Sequence, residues 1–139
     1  MTAKQYLRQV RKAQLQIQRL TEEIEERRTA ITSTAAPILG DRVQTSPSDH
    51  FAAAMAQLMD LDMRRAEEML DYLILKDRIS EQIRGIEPEI HQTVLYKRYI
   101  NAMSLRKIAE EEGYSYDRIC HIHGEALLIF SKKYQDSIQ

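Results

Sequence analysis

The 139 residues include no tryptophan, two phenylalanines, one cysteine, three prolines and four glycines. Each scarcity excludes something. Few glycines and prolines leave little material for tight turns between short strands, which favours long helices. A single thiol, Cys120, rules out an internal disulfide and fits a reducing compartment. No apolar run reaches the roughly 18 residues that a membrane span needs. The first ten residues carry no apolar stretch of the kind found in a secretory signal, so the expected location is the cytoplasm. With so few aromatics, the core must be built from Leu, Ile, Met, Ala and Tyr.

Charge is balanced overall and uneven locally. There are 20 basic and 21 acidic side chains, net −1. Such a total does not exclude nucleic acid, because distribution decides that question. Residues 1–36 hold seven basic and four acidic groups, and residues 50–87 hold five basic and eight acidic ones. The first helical stretch is therefore basic and the second acidic, so the two attract each other.

Hydrophobic spacing predicts an all-α chain. Val10, Ile17, Ile24 and Ile31 recur every seven residues, with Ala13 and Leu20 three residues after two of them. This a/d pattern with β-branched residues at a predicts one long helix over residues 4–35 with a coiled-coil-like seam. Pro37, Gly40 and Pro47 mark a loop at residues 36–48, and Ser48 or Asp49 offers an N-cap to the next helix. That helix is expected over residues 50–84, with Ala52, Met55, Met59, Ala66, Met69 and Leu73 as its inward stripe. Two helices of similar length joined by a loop are expected to fold back as an antiparallel hairpin. The Met-rich stripe (Met55, Met59, Met63, Met69) also suits an adaptable partner surface, but core packing is expected of it.

Gly85 and Glu87-Pro88 separate this hairpin, residues 1–87, from a second domain at residues 88–139. Three shorter helices are predicted there, over 88–101, 104–112 and 115–134. Ser104 caps the middle one, whose inward residues are Leu105, Ile108 and Ala109. Gly113 supplies a left-handed turn, and Ser115 caps the last helix, with Ile119, Ile122, Ala126, Ile129 and Phe130 on its apolar face. Val94, Leu95 and Ile100 on the first helix complete the core. A small residue at the crossing, a glycine turn and a capped second helix describe a helix-turn-helix.

Such a unit presents the N-terminal turns of its second helix to a major groove. At about 100° per residue, Asp117, Cys120, His121 and Gly124 fall opposite Ile119, Ile122 and Ala126, with Tyr116 and Arg118 flanking them. Arg106 and Lys107, with Lys97, Arg98, Lys132 and Lys133 around them, are expected to hold phosphates. Gly124 leaves room for a phosphate to approach.

The run Leu105-Arg106-Lys107-Ile108-Ala109, then Gly113-Tyr114-Ser115-Tyr116-Asp117-Arg118-Ile119-Cys120-His121 and onward to Ala126-Leu127, resembles region 4 of bacterial sigma factors. The upstream Tyr96-Lys97-Arg98-Tyr99 fits the Arg-Tyr pair of that family. With the long helices in front, the chain is similar to small phage transcription regulators of the ArpU/RinA type. The resemblance covers about the last 50 residues well, and the hairpin only in general character.

It implies a sequence-specific DNA-binding regulator of phage or prophage origin, acting on late genes in the bacterial cytoplasm. Tyr116, Asp117, Cys120 and His121 fall where the sigma family touches its promoter element. Ser115, Arg118, Arg106 and Lys107 border or anchor that contact. The family often has Arg or Gln at the positions of Tyr116, Cys120 and His121, so the target sequence must differ. No segment matches the promoter-melting region, which excludes a complete sigma factor. RNA polymerase contact and a homodimer through the N-terminal helices are further expected partners.

The same residues allow other readings. Cys120, His121 and His123 suggest zinc, but two histidines two apart on a helix point about 200° from one another, so no metal or cofactor is expected. His50 and His91 have no partner in sequence. Glu22, Glu23, Glu25 and Glu26 read as a solvated helix face. No phosphate loop, nucleophile elbow or acid–base pair is present, so no enzyme is expected. A small terminase-like DNA-packaging subunit joins the same two architectural parts, and a coiled-coil interaction module without DNA binding is the other alternative.

Overall fold

The computed structural model describes the backbone of residues 1–40 and 47–139 and the side chains of residues 1–33 and 49–139. Among the described residues there is no strand, and the chain is all-α. Helix α1 spans Ala3–Gly40 and α2 spans Pro47–Arg84. Helix α3, Glu89–Leu95, runs into a π-helical segment, Tyr96–Ile100. Helices α4 (Leu105–Glu112), α5 (Tyr116–Lys133) and α6 (Gln135–Ile138) follow. No helix among the described residues is long and apolar enough to cross a membrane.

The start of α1 is a capping box. Thr2 Oγ1 accepts from the Gln5 backbone N–H at 3.2 Å, and Gln5 Oε1 accepts from the Thr2 N–H at 2.9 Å. Helices α1 and α2 take in residues 36–40 and 47–48, which the spacing of Pro37, Gly40 and Pro47 had assigned to a loop. The remainder of that expected loop, residues 41–46, lies outside the described residues. Pro47 opens α2, where a missing N–H costs nothing, so the cap expected at Ser48 or Asp49 falls inside the helix.

The chain forms two compact units. One comprises Gln14–Asp71. Within it the α1 seam is as the heptads predict, with Ile17, Leu20 and Ile24 buried and Ile31 half-buried. Arg27 donates to Gln57 at 3.0 Å, and Arg28 pairs with Asp62 at 3.5 Å, tying α1 to α2. The inward stripe of α2 differs from the expected one. Leu58 is buried, with Met55, Leu61, Asp62, Arg65 and Glu68 half-buried, while Ala52, Ala66 and Met69 are exposed. Met59 and Met63 are 61% and 63% exposed, so the methionines expected in the core mostly face outward. Apolar residues occur on two sides of α2, and spacing alone allows either side to be the inner one.

The other unit comprises Met1–Ala13 with Tyr72–Gln139. It holds all of residues 88–139, and it also takes in the first residues of α1 and the end of α2. Tyr6, Leu7 and Val10 are buried, as are Tyr72, Ile79, Ile83 and Ile86, whereas Leu73 of the expected stripe is exposed. The Tyr6 hydroxyl donates to Gln82 Oε1 at 2.9 Å, and the Tyr6 and Phe130 rings lie 6.1 Å apart. Val94, Ile108, Ala109, Ile119 and Ile122 form a buried cluster, against which Ile90, Met103 and Leu105 pack. At roughly 1.5–3 kcal/mol for each large aliphatic side chain removed from water, this cluster is what holds α3, α4 and α5 together.

Candidate nucleic-acid interface

Helix α4 is set by its ends. Ser104 Oγ accepts from the Lys107 N–H at 3.2 Å, and Ile108 and Ala109 bury its inner face. Gly113 closes it at φ 73°, in the left-handed region where a side chain is unfavourable. The Tyr114 N–H returns to the Ala109 carbonyl at 3.0 Å. Ser115 then caps α5, its Oγ accepting from the Arg118 N–H at 3.1 Å. Both serine caps and the glycine stop stand where the residue order predicts them.

On α5, Ile119, Ile122, Ala126 and Phe130 are buried and Ile129 is half-buried. The opposite side is outward. Asp117, Arg118, His121 and Gly124 are exposed, as are Ser115 and Tyr116, and Cys120 is half-buried. A Cβ placed on Gly124 would meet nothing within 4 Å, so the helix surface there is open.

On the preceding helix, Arg106 and Lys107 are also exposed. The Arg106 guanidinium lies over the Tyr116 ring at 4.4 Å, a cation–π contact across the turn. The Cys120 thiol, one helical turn on, raises the Tyr116 pKa above the ordinary tyrosine value. Arg106, Tyr116 and Cys120 are thereby one contiguous group. Pattern spacing gave no sign of the stack, because its partners sit on different helices.

Several cations expected at phosphates are engaged within the molecule. Lys97 reaches Glu112 at 2.6 Å and Glu111 at 2.9 Å, and these carboxylates, Glu112 foremost, raise the lysine pKa. The acidic end of α4 is thus turned to a local partner. Arg98 donates to the Met103 carbonyl at 3.0 Å, and the Lys133 ammonium donates to the Gly85 carbonyl. Lys107 stands 3.9 Å from Glu110, both well exposed, so that pair is screened and weak.

The histidines separate by environment. His121 is exposed and His123 is buried, with the two side chains on different sides of α5. His123 Nε2 lies 2.8 Å from the Tyr99 hydroxyl, and the two rings stack at 5.7 Å. Burial, aided by the positive charges of Arg98, Lys4 and Arg8, lowers the His123 pKa to about 4, so the ring is neutral at pH 7. Burial also raises the Tyr99 pKa, which keeps its hydroxyl protonated. His91, without an evident partner in sequence, is buried with Nε2 at 3.2 Å from Glu125 Oε2.

The chain matches no protein-family model, and comparison with known proteins and with solved structures finds no similar chain.

Proposed function

We propose that this chain binds duplex DNA through the exposed side of α5 and regulates transcription, with α4, the glycine turn and α5 serving as a helix-turn-helix. The observation that carries the reading is the outward placement of Asp117, Arg118 and His121 on a capped helix whose opposite side is buried. A recognition helix needs a rigid inner face and a free, polar outer one at its N-terminal turns. Tyr116, Asp117, Arg118, Cys120 and His121 read or border base edges, Ser115 holds the helix start, and Arg106 and Lys107 face the backbone. A phage or prophage origin, late-gene targets, the bacterial cytoplasm, RNA polymerase contact and a homodimer belong to the same proposal and rest on the resemblance to sigma region 4 and the phage regulators.

The test is a mobility-shift and footprinting experiment on the full chain with DNA from upstream of its own coding region. Arg118→Ala and His121→Ala are expected to weaken specific binding by roughly 1–3 kcal/mol each, as loss of a base contact does. Lys107→Ala should weaken all sequences alike and reduce the salt slope by about one. Absence of any retardation at low salt would end the proposal. Footprints unchanged in the first two variants would show that another face is used.

A further inference from the structure

Within the unit Gln14–Asp71, helix α2 carries a second apolar seam besides the buried one at Leu58. Ala52, Ala56, Met59, Met63, Ala66 and Leu70 follow one another at intervals of four, three, four, three and four residues, and all six are exposed. Met59, Met63 and Leu70 are each at least 60% exposed. This is a strict a/d repeat, the spacing by which one helix packs along another. A hairpin with α1 needs one such seam, and the outer one faces solvent.

The outer seam is complementary to itself. When two copies of α2 lie antiparallel with Met59 against the partner's Met63, Ala52 falls against the partner's Leu70 and Ala56 against the partner's Ala66. Two-fold symmetry repeats each pair, so all six layers are apolar and a small alanine meets a large leucine at both ends. A parallel pair would set every residue against its own copy, with alanine on alanine in three layers and poor filling there. It would also bring Asp62 beside the partner's Glu67, a like-charge contact.

Charge on the flank favours the antiparallel pair as well. Asp60 and the partner's Arg64 come within about 3 Å of the same height along the axis. Two Asp60 carboxylates and two Arg64 guanidiniums thus gather around the two-fold and offset one another. Arg64 is available for this, because its 3.4 Å contact with Glu68 is a weak pair at a 68% exposed side chain. Asp62, on the other flank, is already held by Arg28 and Arg65 of its own chain.

We propose that the outer seam of α2 is a homodimer interface through which two copies of this chain pair antiparallel over residues 52–70. The inference rests on the homodimer included in the proposed function, to which it gives a surface and a direction, and not on DNA reading by α5. The strip is about 27 Å long and about 10 Å wide, well below the roughly 800 Å² per partner of a standard interface. The dissociation constant is therefore expected to be on the order of 10–100 μM. Protein at a few micromolar stays monomeric.

The test is sedimentation equilibrium of the full chain without DNA, from about 2 μM to about 500 μM, which spans that constant. The expected result is a monomer at the low end and a dimer at the high end. Met59→Glu combined with Met63→Glu puts four carboxylates into the contact and should weaken it by about a hundredfold or more. Circular dichroism of that variant should match the wild type, since both side chains are exposed in the single chain. Leu70→Lys, milder and at the ends of the seam, should weaken the dimer about tenfold. Direction is read from disulfide formation in a Cys120→Ser background. Chains carrying Ala52→Cys should link to chains carrying Leu70→Cys and not to one another, because antiparallel pairing leaves the two positions 52 about 27 Å apart.

A monomer over the whole range overturns the proposal and leaves the seam to a helix of another protein. A dimer undiminished by the glutamate and lysine variants also overturns it, and leaves the homodimer to a different face. Efficient linking of Ala52→Cys chains to one another overturns the antiparallel pairing. None of these outcomes bears on α5, which the mobility-shift experiment tests.

Discussion

His123 shows how one residue's surroundings set its chemistry. The side chain is 9% exposed, stacked on Tyr99 and near three cationic groups, so its folded pKa of about 4 lies below the 6.5 of the unfolded chain. The unfolded state therefore takes up the proton first as pH falls. The stability contributed by the neutral ring is complete above pH 6.5 and is lost progressively down to about pH 4, on the order of 3 kcal/mol. Denaturant midpoints measured between pH 7 and 4 should fall more steeply for the wild type than for His123→Gln, which retains a polar side chain and does not titrate. Parallel slopes in the two proteins would show that His123 is not the responsible group.

At the scale of elements, end chemistry explains why α4 and α5 start and stop where they do. Ser104→Ala and Ser115→Ala each leave one backbone N–H without its side-chain acceptor. Each is expected to cost about 1 kcal/mol in chemical denaturation. Gly113→Ala should cost a similar amount, about 1–2 kcal/mol, purely through its left-handed backbone, because no atom lies within 4 Å of the added Cβ. Gly124 is the contrasting case. Alanine there fills open space in mid-helix, so Gly124→Ala should raise stability by roughly 0.5–1 kcal/mol. If the proposed DNA contact brings a phosphate against this surface, the same variant loses DNA affinity while gaining stability, two readouts that a purely structural glycine would not separate.

Across the whole chain, the two compact units explain which residues are expensive to change. Leu7 is fully buried in the unit that also holds residues 88–139, far from them in sequence. Leu7→Ala should therefore cost about 2–5 kcal/mol, and the isolated fragment 88–139 should unfold at lower denaturant than the intact protein. A fragment as stable as the full chain would contradict the role assigned to the first residues of α1. Met63→Gln is the matching control: at 63% exposure it should change stability by no more than about 0.5 kcal/mol. Circular dichroism during urea titration measures both.

Helical content, the α1 seam and the caps at Ser104, Gly113 and Ser115 were legible in residue order because they depend on local rules: apolar spacing, side-chain acceptors next to free N–H groups, and the freedom of glycine. The outward side of α5 was legible for the same reason, since helical geometry places Asp117 and His121 opposite Ile119 and Ile122. Which side of α2 turns inward was not, because both sides carry apolar residues and only packing against α1 distinguishes them. The destinations of Lys97, Arg98 and Lys133 and the Arg106–Tyr116 stack were likewise decided by tertiary structure. Charged side chains are long, and the partner each one reaches is fixed by the relative placement of helices rather than by its neighbours in the chain.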